Sequence, residues 1–466
     1  MAVLAVPDKV KERWDRWNLR VAIAVSLALQ IVLIFFSSSR KRRGKTWIII
    51  GIWSAYLLAD WVAAVAVGLI SSKQGKDCGP HDNAELLAFW APFLLLHLGG
   101  PDTITAFSLE DNELWIRHLL SLILQVLAAI YVLLQTIPGN RLLVPTILVL
   151  IAGTIRFAER TRALYLACLD HFGESVCRKP NPGPEYERVV QMYSSITKAN
   201  LPARTKMIKG PDEEYQNYPE EVGSSDQMSS RAVLQYAFTF FNSFKGLIVG
   251  LLLGSQERLA SREFFLNRNS FDVFRILVVE LSLLYEVLHT KIVVVRCKKG
   301  YFFRIVNFIC ILAASISFAF ISKDGYRKID IIITVALLAG AIALDIISFV
   351  MLIFSDWTII AHSNGIVPYI ESMVIERRRW SNLVGQYNFM SWCIHDYPES
   401  FSKLIEVLGV KGMLDTIKIA LYSSGKELDP NAWHLIFKEL KHKALTAKTV
   451  ELGKKICLQR GDGISK

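Results

Sequence analysis

The sequence contains few charged residues. Only 20% of its 466 residues are charged, against about 25% in soluble domains, while 52% are hydrophobic. The apolar residues form runs long enough to cross a bilayer at 1.5 Å per helical residue. This composition argues against a string of soluble domains and predicts one α-helical membrane domain with cytosolic additions.

The sequence also lacks several motifs that would indicate a metal site, a cofactor or an enzyme. The seven cysteines form no CxxC pair and no spacing typical of a metal site, and the chain has no Asn-x-Ser/Thr sequon. It also lacks a Walker motif, GxSxG, HExxH and a glycine-rich dinucleotide fingerprint. We therefore expect no metal and no cofactor. An enzyme is disfavoured, although a lipid enzyme built from scattered polar residues stays open.

Positive charge exceeds negative charge, with a net charge of +11. The basic residues lie beside apolar segments, most densely at Arg40–Lys45, where no acidic residue intervenes. This placement is typical of the positive-inside rule and of contact with anionic lipid, so we expect lipid there and no nucleic-acid partner.

The fold prediction is an all-α, polytopic transmembrane bundle of about seven to nine spans. Residues 1–18 read as an interfacial segment, 19–158 as membrane helices 1–5 and 232–354 as membrane helices 6–9. Two of the nine segments are doubtful: 84–98 is short and contains Pro92, and 233–253 has Lys245 in its middle. The other spans are predicted at 19–36, 47–70, 119–137, 142–158, 273–295, 305–321 and 329–354.

Two regions are predicted to lie outside the membrane. Residues 159–231 are polar and contain an acidic stretch at 212–214, and 355–466 reads as soluble and mostly helical. In the latter, Asp429-Pro430 is typical of an N-cap and first helical residue, with Trp433, Phe437 and Leu440 along one side.

The basic cluster also sets the expected orientation. With Arg40–Lys45 in the cytosol the N-terminus lies outside, and nine spans keep both 159–231 and the C-terminal region cytosolic. The membrane is expected to be the plasma membrane or an endomembrane.

Several motifs carry a resemblance. The longest runs from Pro92 to Trp115 and includes His97-Leu-Gly-Gly-Pro-Asp102. Shorter ones are Tyr56-Leu-Leu-Ala-Asp-Trp61, Arg156-Phe-Ala-Glu-Arg160, Tyr285-Glu-Val-Leu-His-Thr-Lys291, Gly300-Tyr-Phe-Phe-Arg304 and Gly385-Gln-Tyr-Asn388. Over about residues 45–400 the chain resembles the plant membrane family defined by domain of unknown function 4220. The resemblance implies a polytopic membrane protein and assigns no activity.

Charged and polar residues inside apolar segments form the first candidate site, because a charge near the bilayer centre costs roughly 2.5–3.5 kcal/mol. They are Asp60, Glu280, Glu286, His289 and Asp345. A Tyr56 hydroxyl one turn away could contact Asp60, and Glu286 and His289 are close enough to touch. Each residue is either part of an ion pathway or a polar contact that holds the bundle together.

The loop after the third apolar segment forms the second candidate site. It contains His97, Asp102, Glu110, Asp111 and Glu113. Such carboxylates could bind a divalent cation or perform acid–base chemistry. They could equally stabilise the start of the next helix.

Three functions remain open from the sequence. The first is a membrane-anchored scaffold or signalling component that recruits cytosolic proteins through 355–466. The second is an ion or small-solute transporter that uses the intramembrane carboxylates. A lesser alternative is an intramembrane lipid-modifying enzyme built around the loop.

Overall fold

The structure is a computed structural model that describes residues 8–41, 46–74, 83–137, 139–175, 227–250, 253, 255–361, 379–394 and 422–447. The described chain is mostly helical, as predicted. Arg42–Lys45, most of the predicted loop 159–231 with its acidic stretch, and much of 355–466 lie outside the described residues. The chain divides into two compact units.

The first unit comprises Met1–Ser175, Tyr285–Ser355 and Phe389–Tyr422. Its helices, in chain order, are α1 (Asp8–Phe36), α2 (Thr46–Gln74), α3 (Ala84–Gly99), α4 (Glu110–Glu113), α5 (Trp115–Leu134), α6 (Leu143–Ala167) and α7 (Leu169–Ser175). A 3-10 turn, Ser37–Arg40, follows α1.

The second unit comprises Val176–Leu284, Asp356–Asn388 and Ser423–Lys466. Its first helices are α8 (Ser230–Phe244), followed by a 3-10 turn at Lys245–Val249, and α9 (Ser255–Asn267). The next helix, α10 (Ser270–His289), begins in this unit, and its end from Tyr285 onward belongs to the first.

The remaining elements alternate between the units. The first unit continues with α11 (Ile292–Val295), α12 (Lys298–Phe320), α13 (Lys328–Ile353) and, later, α15 (Phe389–Ile394). The second contains α14 (Asp356–Ala361), a 3-10 turn at Trp380–Asn382, β1 (Leu383–Tyr387), β2 (Ser423–Glu427) and α16 (Pro430–Thr446).

Within the described ranges, five helices are long and apolar enough to cross a membrane. They are Trp17–Phe36, Ile48–Lys73, Trp115–Leu134, Lys298–Phe320 and Lys328–Ile353. Each matches a segment predicted from sequence. The chain therefore carries the apolar helices of a membrane protein.

The other predicted spans differ from those five for visible reasons. The segment 84–98 is the shorter apolar helix α3, and 142–158 lies in α6, which continues through Arg156, Glu159 and Arg160. The segment 233–253 is not one helix, because α8 ends at Phe244 and Gly250 takes a left-handed φ of 76°. The segment 273–295 is interrupted after His289.

The core of the first unit is built on α3. This helix is apolar on all sides and buried along nearly its whole length, as expected for a helix enclosed by others. It packs most extensively against α6, and also against α2 and α5. Outside this centre, α1 packs against α2, and α12 packs against α6 and α13.

Two glycines permit the close approach of α3 and α6. A Cβ on Gly153 would lie 2.9 Å from both the Leu95 Cβ and the Pro92 carbonyl oxygen, and one on Gly99 would lie 2.7 Å from the Arg156 Cβ. These distances are shorter than real Cβ contacts, so the backbones can meet here only without a side chain. The contact sets the position of Arg156 relative to the end of α3.

The second unit is held together by aromatic and ion-pair contacts. Phe240 of α8 lies 5.0 Å from Phe264 and 4.7 Å from Phe265 of α9, ring centre to ring centre. Arg379 forms a two-pronged ion pair with the buried Asp356, at 2.6 and 2.8 Å. The strands β1 and β2 pair antiparallel, with Leu383 opposite Glu427 and Tyr387 opposite Ser423.

Helix α16 begins where the sequence predicts. Asp429 is the N-cap and Pro430 the first residue, although the Asp429 side chain makes no capping hydrogen bond. Trp433 packs on Phe274 and donates to the Ser270 carbonyl at 2.6 Å, whereas Leu440, expected on the packed side, is 54% exposed. The helix thus packs on its own unit through its first turns.

We predict that Gly153→Ala lowers stability by about 1–3 kcal/mol, because the added methyl must push α3 away from α6. Gly68→Ala is the matched control: it lies on a membrane helix with no heavy atom within 4 Å of the added Cβ, and alanine favours the helix. The measurement is the temperature at which the detergent-solubilised protein loses its monodisperse size-exclusion peak. Equal midpoints for the two variants would contradict a close α3–α6 contact.

Candidate functional site: paired charges in the first unit

Asp60 of α2 is bound to an arginine of α6. Arg160 donates from Nη1 to Asp60 Oδ1 at 2.6 Å and from Nη2 to Oδ2 at 3.0 Å, and also to the Leu98 carbonyl at 2.8 Å. The Tyr56 hydroxyl does not bind Asp60 but donates to the Thr105 carbonyl at 3.3 Å. Asp60 therefore joins α2 to α6 and to the end of α3.

Asp345 of α13 is bound in the same way. It forms an ion pair with Arg156 of α6 and accepts a hydrogen bond from Asn307 Nδ2 of α12 at 2.7 Å. Arg156 and Asp345 are 10% and 7% exposed at their side chains. A buried charge of this kind persists only with a partner, and here the partner comes from a different helix.

Asp102 lies at the centre of the largest charge cluster. Arg304 of α12 binds its carboxylate directly, Arg156 approaches to 3.4 Å and the Lys291 Nζ to 3.9 Å. Lys291 is fully buried, and its ammonium also donates to the Gly100 carbonyl at 3.1 Å. The backbone N–H of Lys291 donates to the Asp102 carbonyl at 3.3 Å, which attaches the loop to the chain after α10.

The end of α10 is bound to the same loop and to the segment that follows α1. The Lys41 Nζ lies 3.4 Å from a Glu286 carboxylate oxygen. The His289 ring contacts the Tyr285 ring at 4.5 Å between centres, with the planes tilted by 38°, so Glu286 and His289 each contact a different neighbour. Arg40 donates to the carbonyls of Ala106 and Phe107 at 2.9 and 3.0 Å and to the Tyr285 hydroxyl. Glu280 belongs to the second unit, where it is half-buried.

The residues of the second candidate site are divided among separate contacts. Asp111 accepts from the backbone N–H groups of Phe107 and Ser108 at 2.7 and 3.0 Å. Glu110 is exposed, and hydrogen bonds from its own backbone N–H and the Ser108 side chain lower its pKa. His97 Nδ1 lies 2.9 Å from Ser26 Oγ of α1.

Glu113 contacts the end of α6 instead. Its Oε2 accepts from the Cys168 thiol at 3.0 Å, and its Oε1 from the Leu169 N–H at 2.9 Å. Burial, and then the hydrogen bond to Glu113, raise the pKa of Cys168 to about 11.

A small cavity of about 20 Å³ joins members of both candidate sites. His97, Arg156 and Asp345 contribute to its wall, together with Gln30 and Ser348. The buried Ser348 Oγ has no hydrogen-bond partner among the described residues. The cavity has room for about one water molecule.

The basic partners are the functional residues that sequence reasoning missed. The carboxylates are singled out as costly in a membrane, yet Arg156, Arg160, Lys291 and Arg304 are equally costly and occur in the same motifs. Counting the basic residues of these motifs together with the acidic ones would have indicated that the charges form ion pairs. Which cation meets which carboxylate depends on the fold, because Asp60 and Arg160 are a hundred positions apart.

We predict that Asp345→Asn destabilises the protein by about 3–5 kcal/mol, because it leaves Arg156 buried with Asp102 as its remaining ion-pair partner among the described residues. Asp324→Asn, in the exposed turn after α12, is the control and should have little effect. The measurement is again the thermal midpoint in detergent. The double variant Asp345→Asn/Arg156→Gln should regain part of the loss, and an unchanged midpoint for Asp345→Asn would show that the pair contributes nothing.

Comparison with known proteins adds a family but no activity. No curated protein and no solved structure matches the chain. The family described as domain of unknown function (DUF4220) matches residues 53–393, which include the paired charges Asp60, Asp102 and Asp345 together with the loop. The chain therefore belongs to the DUF4220 family.

Proposed function

We propose that this chain is a membrane-anchored scaffold or signalling component rather than a transporter. In this proposal the apolar helices anchor the protein in the bilayer, and residues 355–466 recruit cytosolic partners. The observation that carries it is the pairing of Asp60, Asp102 and Asp345, each with an arginine from a different part of the fold.

The pairing favours a fixed bundle over a conducting pathway. An ion pathway needs polar groups that exchange partners with water or with the ion. Asp345 and Arg156 are buried at their side chains, and the cavity beside them has space for about one water. Such charges are better suited to holding helices in place than to moving a solute.

The recruiting surface is proposed on helix α16. Its Trp433 side packs on the second unit, whereas Ile436 and Leu440, one turn apart, are 45% and 54% exposed. Two neighbouring apolar side chains on a helix that also carries Lys438 and Lys441 suit a partner with an apolar strip bordered by acidic groups.

We further propose the predicted topology of nine spans with a cytosolic C-terminal region, in which 233–253 crosses as a segment broken after Phe244. Arg40 and Lys41 have contacts within the protein, so a contact with anionic lipid would rest mainly on the remaining residues of the basic cluster. The proposed location is the plasma membrane or an endomembrane.

Single cysteines at positions 72, 194 and 424 of a cysteine-free chain test this topology. With an impermeant thiol reagent on intact cells, we expect labelling at Ser72→Cys alone. Permeabilised cells, in which all three positions should react, provide the control. Labelling at position 194 in intact cells would contradict nine spans, and labelling at 424 would contradict a cytosolic C-terminal region.

The scaffold proposal predicts that Ile436→Glu/Leu440→Glu removes a defined set of neighbours in proximity labelling of the full-length chain in cells. Asn431→Glu, an exposed change in the first turn of the same helix and outside the proposed surface, is the matched control and should keep them. Both variants should elute like the wild type in size-exclusion chromatography, because the altered side chains are exposed.

A transporter is the second candidate, because the titratable side chain of His97 lines the same small cavity as Asp345. The same purified chain in proteoliposomes separates the two functions. The scaffold proposal expects no dissipation of a proton, sodium or potassium gradient above that of empty vesicles. Dissipation that His97→Gln abolishes in a folded protein, with unchanged neighbours for Ile436→Glu/Leu440→Glu, would overturn it in favour of transport.

A further inference from the structure

Three potential metal ligands meet where α6 ends. Glu113 comes from α4, Cys168 directly follows α6, and Asp170 lies in the first turn of α7. One ligand atom from each, two carboxylate oxygens and the sulfur, lie within 4.8 Å of one another. The thiol is buried and both carboxylates are exposed, so the group is open to solvent on one side.

In the part of the chain that the structure describes, no basic side chain neutralises the two carboxylates at this point. Within the described residues, neither Glu113 nor Asp170 has a lysine, arginine or histidine within ion-pair distance. Besides the thiol, Glu113 binds the neutral Leu169 N–H. Asp60, Asp102, Asp330 and Asp345, by contrast, each have an arginine partner. Two close negative charges without a cation indicate a position where a bound cation would be stabilised.

The spacing of the three atoms suits a small tetrahedral ion. With bonds of about 2.0–2.3 Å to oxygen and sulfur, ligand atoms around zinc lie roughly 3.3–3.8 Å apart. The 3.0 Å from Cys168 Sγ to Glu113 Oε2 and the 4.8 Å limit for the group bracket this range. Adjustments of about an ångström in exposed side chains would complete the geometry.

We propose that Glu113, Cys168 and Asp170 form a binding site for a divalent cation of the zinc class, with water as a fourth ligand. The sulfur selects zinc over magnesium or calcium, which prefer all-oxygen ligands. On binding, the Cys168 S–H bond breaks, its proton passes to solvent, and a sulfur–metal bond forms without any change of oxidation state. The ion joins α4 to the α6–α7 junction and so fixes the end of the loop that begins at Gly100.

Cobalt(II) provides a direct test, because a thiolate bound to this ion gives a near-ultraviolet charge-transfer band that carboxylates alone do not give. The full-length chain is purified in detergent, stripped with a chelator and titrated with cobalt(II), followed by zinc. We expect the band to appear in the wild type at one equivalent and to disappear when zinc displaces the cobalt.

The variants assign the ligands. Cys168→Ser should lose the band, whereas Cys297→Ser, an exposed cysteine outside the group, should keep it. Glu113→Gln and Asp170→Asn should each weaken cobalt binding by at least about tenfold. Glu110→Gln, an exposed carboxylate on the same short helix, should leave it unchanged.

Two results would overturn the proposal. One is the absence of a charge-transfer band in a wild type that keeps its helical circular dichroism, which would reduce the contact to a thiol–carboxylate hydrogen bond. The other is a band that survives Cys168→Ser or is insensitive to both carboxylate variants. If Cys168→Ser does not fold, Asp170→Asn decides the outcome, because its altered side chain is exposed.

Discussion

The requirement that a buried charge have a partner governs the first unit. Arg20 binds Asp330 with both side chains 6% exposed, Arg160 binds Asp60, and Arg156 binds Asp345. Away from water, each buried charge among these would cost several kcal/mol without its partner, so each pair is held only while its two helices stay together. Because separating a pair would leave a buried charge without its partner, the pairs strongly favour one arrangement of the helices.

The close packing of α3 on α6 places these pairs. Gly99 and Gly153 remove the side chains that would separate the two backbones, and α6 then presents Arg156 and Arg160 at the end of α3. The loop after α3 completes the arrangement, since Asp102 collects Arg304, Arg156 and Lys291 around one carboxylate. Packing and electrostatics depend on each other here.

The same requirement separates structural charges from candidate sites. Carboxylates with a basic partner are interpreted as contacts that hold helices together, and this interpretation supports an anchored scaffold. Glu113 and Asp170 have no such partner among the described residues, and a thiol lies within 4.8 Å of both. The contrast between neutralised and uncompensated carboxylates is therefore more informative about function than the number of charges in apolar segments.

Hydrophobic runs alone determined the class of this protein and the positions of the five long apolar helices in its described ranges, because span length and apolar composition are local properties. The start of α16 at Pro430 could also be predicted from the sequence, since the start of a helix depends on adjacent residues. The family was also accessible from the motifs between Tyr56 and Asn388.

The tertiary structure decided the partners of the charges. The sequence shows that Asp60, Asp102 and Asp345 are costly, but their arginines lie up to two hundred positions away. It placed Glu113 among loop acids, whereas the fold brings it to Cys168. Such pairings follow from which helices pack together, and that is set by the cooperative burial of α3 and not by any local pattern.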